Sequence, residues 1–66
     1  MKNRLRADRE FKELTQEQLS KMVGVSRQTI NSIEHNKYIP STLVSLKIAK
    51  VFKRKVDDIF LLEEFD

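Results

Sequence analysis

The chain has no cysteine, one glycine, one proline and no apolar run long enough to cross a bilayer. Without thiols, neither a disulfide framework nor a cysteine-based zinc site can staple the fold. Without a long apolar run there is no transmembrane helix and no signal-peptide core, so the expectation is a soluble, cytoplasmic protein. A single Gly and a single Pro leave little turn punctuation, and no window alternates cleanly enough to make a long strand. Helices must therefore supply most of the structure, and the expected fold class is all-α. Sixty-six residues with 39% hydrophobic content make one domain, residues 1–66, with one modest core. Such a domain is marginal by itself, which makes a partner subunit plausible.

Catalytic equipment is also scarce. His35 is the only histidine, and the acids lie on helix surfaces or in the tail with no adjacent nucleophile or metal-binding cluster. The expectation is a protein that is not an enzyme and that carries no metal and no cofactor.

Charge is present in quantity but unevenly placed. Residues 57–66 hold five acids and no base, so the first 56 residues carry all 13 Lys and Arg against the other five acids, an excess of eight. A basic body with an acidic, apolar tail (57–66) points to a polyanionic partner, of which nucleic acid is the commonest.

The helix signals are local. Residues 4–12 read as a short first helix with Leu5 inward. In "LTQEQLSKMVG", Thr15 is an N-cap with Gln18 as its capping-box partner, and Leu14 can staple to Leu19. Leu19, Met22 and Val23 form the inward stripe, and Gly24 ends the helix in the left-handed conformation. Val25 plugs the turn, and Ser26 caps a third helix with Ile30 and Ile33 inward. After "HNKYIP", Ser41 caps a fourth helix with Leu43, Leu46, Ala49 and Phe52 inward and Lys47, Lys50 and Lys53 outward. Asp57 caps a short fifth helix or turn around Ile59 and Phe60, and alternation in "LLEEFD" suggests a strand.

Two helices joined by "GVS" make the tight connection of a helix-turn-helix. At about 100° per residue, the direction opposite Ile30 and Ile33 falls near Gln28, Ser32 and His35, with Asn31 flanking. Arg27 stands at the helix start and Glu34 lies toward the core. Arg can bond guanine O6 and N7 as a fork, Gln or Asn can pair with adenine N6 and N7, and a Ser hydroxyl can donate or accept. The bland alternative is a merely solvated polar face.

The stretch "LTQEQLSKMVGVSRQTINSIEHNKYIPS", with "NRLRADR" before it and "LKIAKVF…VDDIF" after it, resembles the XRE or Cro/C1-type helix-turn-helix family of small bacterial, archaeal and phage regulators. The resemblance covers nearly the whole chain. It implies a five-helix domain that binds double-stranded operator DNA, of pseudo-palindromic sequence, as a homodimer, in most cases as a repressor. Carried over position by position, it implies base reading by Arg27, Gln28, Asn31 and Ser32. Phosphate contacts fall to Gln16, Thr29, Asn36, Lys37 and Tyr38, with packing under the loop as the alternative for Tyr38. Arg9 and Glu34 match a pair that ties the first helix to the third, and Arg9 can also reach a phosphate.

The chain departs from the family pattern in three places. Asp8 stands where an apolar residue is usual, Glu13 where Gly commonly ends the first helix, and Asn36 where another Gly is frequent. An antitoxin-like or protein-interaction module is the alternative function, and RNA binding a third, though no exposed aromatic platform offers itself for stacking. No ligand domain is evident, so no small-molecule effector is expected. Phe60, Leu61, Leu62 and Phe65 are four large apolar side chains within six residues. They are expected at the dimer interface, with the ends of the fourth and fifth helices. The alternative is that the tail pairs with residues 2–4 as a short strand, and both can hold together.

Overall fold

The computed structural model describes all 66 residues. In chain order the elements are β1 (Lys2–Asn3), α1 (Leu5–Phe11), α2 (Gln16–Val23), α3 (Arg27–Glu34), α4 (Thr42–Phe52), α5 (Val56–Ile59) and β2 (Phe60–Leu61). Three of the five helices begin on a hydroxyl that accepts an otherwise unpaired amide. Thr15 Oγ1 accepts from the Gln18 amide at 3.0 Å while the Gln18 side chain accepts from the Thr15 amide at 2.8 Å, closing a capping box. Ser26 accepts from Thr29 N–H at 3.0 Å and Ser41 from Val44 N–H at 3.2 Å. Gly24 ends α2 with φ 74°, a left-handed conformation that sends the chain sharply into α3.

The core is one cluster drawn from every helix: Leu5, Leu19, Val23, Ile30, Ile33, Ile48, Ala49, Phe52, Ile59 and Phe60. α2 packs on both α3 and α4, and α4 also packs on α5. β1 and β2 form an antiparallel ribbon in the register Lys2↔Leu61 and Asn3↔Phe60, so the five helices are joined by a small two-stranded sheet.

Several inward faces differ from those expected. Met22 is exposed, and Ser20 is buried in the stripe with Leu19 and Val23, its hydroxyl donating to the Glu17 carbonyl at 2.7 Å. That bond satisfies the Ser20 donor, so its burial is cheap. On α4, Leu43 and Leu46 are 63% and 56% exposed, whereas Ile48, Ala49 and Phe52 are buried and Val44 packs on the core. α4 has apolar residues on two faces, and its docking on α2 and α5 selects one of them.

The end of the chain also differs. Lys55, not Asp57, occupies the N-cap position of α5, and Asp57 and Asp58 sit in the first turn, where acids oppose the helix dipole. The strand stops at Leu61, and residues 63–66 turn back on themselves, the Glu63 backbone N–H donating a hydrogen bond to the Asp66 carboxylate at 2.7 Å. Phe60, expected between two copies, is buried in the core of its own domain, and Leu61 is half-buried in the ribbon. Leu62 and Phe65 remain exposed.

The three departures from the family pattern have visible structural counterparts. Asp8 accepts from the Arg54 guanidinium at 2.8 Å and so ties α1 to the segment after α4. Glu13, Asn36 and Lys53 all adopt left-handed backbone, with φ of 58°, 59° and 54°, at helix ends where glycine would be unstrained.

Candidate nucleic-acid interface

α3 is an eight-residue helix that commits its inner side to Ile30 and Ile33. Apart from Glu34, whose side chain is buried against Arg9, the other positions face outward: Arg27, Gln28 and Asn31, with His35 just past the helix, are exposed, and Thr29 and Ser32 are half-buried. No carboxylate approaches Arg27 or Lys37, because the ion pairs of the chain engage other cations. The helix therefore shows solvent a guanidinium, two carboxamides and a hydroxyl along one side, groups that can donate to and accept from base edges.

Beside this face the chain forms a concave surface lined by Ser26, Gln28, Thr29, Ser32, Lys37 and Tyr38. The tertiary fold thus places the 37–38 loop next to the start of α3. The Thr29 hydroxyl sits 2.9 Å from that of Ser26, which orders the rim of this hollow. Four hydroxyls and an ammonium around one opening suit an anionic oxygen.

The same helix is anchored from behind. The Glu34 side chain is 1% exposed and its carboxylate takes two bonds from the 12%-exposed Arg9, Nε at 2.7 Å and Nη2 at 3.2 Å. Arg9 Nη1 also donates to the Leu14 carbonyl at 2.8 Å. The hydrogen bond to Glu34, with its charge, raises the Arg9 pKa further above its ordinary value. A bidentate Arg–carboxylate contact fixes relative orientation as well as distance, so the pair sets α3 against α1.

Gln16 joins this seam to the outer face. Its side-chain nitrogen donates to Glu34 Oε1 at 3.1 Å, and its oxygen lies 3.5 Å from Asn31 Nδ2. The Gln16 carboxamide is therefore half-buried between the ion pair and Asn31, at the start of α2, with its second N–H not engaged by the protein.

Asn3 was not singled out by the sequence. Its Nδ2 donates to the Ile33 carbonyl at 2.8 Å and to Asn36 Oδ1 at 2.9 Å, while its Oδ1 accepts from Leu5 N–H at 3.1 Å. It clamps the end of α3 and the left-handed Asn36 to the terminal ribbon. Ile33 and Asn36 lie 30 and 33 positions away, and no local spacing signals them.

A family model described as Helix-turn-helix matches residues 5–59. The chain is 53% identical over 64 residues to an HTH-type transcriptional regulator of Methanocaldococcus jannaschii, covering 97% of each chain. It is 47% identical over 64 residues to one of Bacillus subtilis, again covering 97% of each. It is 45% identical over 64 residues to one of Archaeoglobus fulgidus, covering 97% of this chain and 90% of that one.

Proposed function

The chain belongs to the helix-turn-helix family of DNA-binding transcriptional regulators, of the XRE (Cro/C1) type, and on that premise we propose that it is a sequence-specific repressor that binds operator DNA as a homodimer with α3 in the major groove. The observation that carries this reading is the outer face of α3. Arg27, Gln28, Asn31 and Ser32 stand clear of the core on a helix held rigidly from behind. These four read bases. Gln16, Thr29, Asn36, Lys37 and Tyr38 flank them and contact phosphates, which fix register without carrying sequence information.

The homodimer reading rests on surface chemistry. Leu43 and Leu46 on the first half of α4, Ile39 before it, and Leu62 and Phe65 in the tail are large exposed apolar side chains on a 66-residue protein. A two-fold pair can bury such side chains against their own copies. The monomer measures 32 × 22 × 20 Å, so two copies in contact can set their α3 helices near the ~34 Å spacing of successive major grooves. A dimer occupying two half-sites represses by covering its site.

Selection of binding duplexes from a random pool, followed by footprinting of the enriched sequence, tests the reading. A two-fold motif protected over two half-sites is expected. A pool that never enriches a motif would overturn sequence-specific recognition. Sedimentation at micromolar concentration tests the dimer separately: the intact chain is expected to be dimeric, with Leu43→Glu and Phe65→Glu together giving a monomer.

A further inference from the structure

The recognition face carries only two permanent cations, Arg27 and Lys37, whereas residues 47–55 hold five lysines and arginines more (Lys47, Lys50, Lys53, Arg54 and Lys55) and no acid. Of these, only Arg54 meets a carboxylate, that of Asp8; Lys47, Lys50 and Lys53 have none within ion-pair distance. All three are exposed. At about 100° per residue, Lys50 points opposite buried Ile48 and Phe52, and Lys47 lies about 60° to one side of it. Lys12 joins them from the end of α1, its ammonium donating to the Val51 carbonyl at 3.3 Å. The Lys47 ammonium stands over the turn of the helix-turn-helix, 4.0 Å from where a side chain on Gly24 would begin. The result is a ridge of like charges within one or two turns of each other, an arrangement that repels itself in the free protein.

We propose that this ridge, Lys47, Lys50 and Lys53 with Lys12 beside them, is a second, sequence-independent binding surface for the phosphate backbone of duplex DNA. α3 packs mainly on α2 and α1, and α4 mainly on α2 and α5, so the recognition face and the ridge lie on different helices that share α2 as a neighbour. The phosphates the ridge takes are those of flanking DNA that bends round the domain, a second duplex being the other outcome that the test separates. Lys47 to Lys53 spans about 9 Å of helix axis, a length over which one DNA strand presents about three phosphates. Lysine suits this task, as a point charge on a flexible stem that neutralises phosphate without reading a base. The acidic tail of another copy is a poorer occupant, because the Met1 amine already holds Glu63 and Asp66 at 3.1 Å each. Once α3 is on DNA, neighbouring phosphates are present at high effective concentration.

The test is the triple variant Lys47→Gln, Lys50→Gln, Lys53→Gln, titrated with a fluorescent random-sequence 40-bp duplex over a range of salt. The slope of log affinity against log salt is expected to shrink by about two to three. Affinity for random DNA should fall with it, while the thermal midpoint and the sedimenting species stay unchanged. The preference for a pool-selected duplex over the random one should survive, which separates failure here from failure of the recognition-helix reading. Two further arms identify the source of the phosphates. Capture of the fluorescent duplex by the same duplex on beads, lost in the variant, marks a second duplex. A defect seen with 40-bp but not 16-bp DNA marks flanking DNA. An unchanged slope and affinity would overturn the proposal, and so would a slope change accompanied by a shift to a smaller sedimenting species, since the ridge would then serve a protein contact.

Discussion

α3 and α4 are built alike and exposed differently. Each starts on a serine whose hydroxyl accepts the amide three residues on. Each is followed by a non-glycine residue in left-handed backbone, Asn36 for α3 and Lys53 for α4. Each buries isoleucine against the same core, Ile30 and Ile33 from α3 and Ile48 from α4. Their outer faces share nothing: α3 shows carboxamides, hydroxyls and one guanidinium, while α4 shows leucines and then lysines. α3 is also bolted to its neighbour by a buried bidentate ion pair, and α4 has no such bolt along its length. Directional groups read a pattern only when the backbone beneath them is fixed, whereas apolar and cationic side chains work through area and charge and tolerate looser placement.

The largest way to break this comparison is to remove the bolt. Glu34→Ala strands the Arg9 guanidinium in a site with little solvent and leaves Gln16 without its acceptor, and the expected cost is about 3 to 5 kcal/mol. Lys47→Ala on the outside of α4 should stay within about 0.5 kcal/mol of wild type. Urea unfolding of both variants checks the contrast, and equal midpoints would mean that α3 is held no more tightly than α4.

The next contrast lies in binding. Arg27→Ala and Gln28→Ala should each remove about 1 to 3 kcal/mol of discrimination between the selected duplex and random DNA while the fold persists. Lys37→Ala should weaken both duplexes alike and reduce the salt slope by about one. Parallel titrations on the two duplexes read this directly, and a selective loss at Lys37 would contradict its backbone role.

The shared features should give matched responses. Ser26→Ala and Ser41→Ala each leave an amide at a helix start without its acceptor, at a cost of about 1 kcal/mol in each case. Thermal melting of the pair would show whether the caps are equivalent or whether the Thr29 hydroxyl, which meets Ser26 at 2.9 Å, makes the first cost more.

The smallest effect distinguishes the two helix ends. Lys53→Gly relieves left-handed strain of about 1 to 2 kcal/mol, offset by the extra freedom of glycine in the unfolded chain, for a net gain of about 0.5 to 1 kcal/mol. Asn36→Gly should be near neutral, because Asn tolerates this region better and because its side chain accepts from Asn3 at 2.9 Å. A clear stabilisation at Asn36 exceeding that at Lys53 would reverse the comparison.

How much was legible follows from the range of each signal. Capping is decided within four residues, so Thr15, Ser26 and Ser41 could be placed from sequence, as could the left-handed Gly24. The outward set on α3 followed from two isoleucines at one helical spacing, with no competing apolar stripe. α4 offered two such stripes, Leu43 with Leu46 and Val44 with Ile48 and Phe52, and periodicity alone cannot choose between them. Phe60 was misplaced for a related reason: apolar content in a tail marks a need for burial without saying whether the same chain or another supplies it.

By itself, then, the sequence determined where α2, α3 and α4 start and where α2 stops, that the fold is α-helical, and which polar groups ride on α3, because each of these is settled by neighbours in the chain. Tertiary structure alone decided which face of α4 points inward, and that Phe60 completes the core. It also decided that Asn3 clamps the end of α3, and that Gln16 bridges a buried ion pair to Asn31. Those outcomes depend on partners about thirty positions or more apart for Asn3, and on helices meeting across a core, and such meetings are governed by the packing of the whole domain.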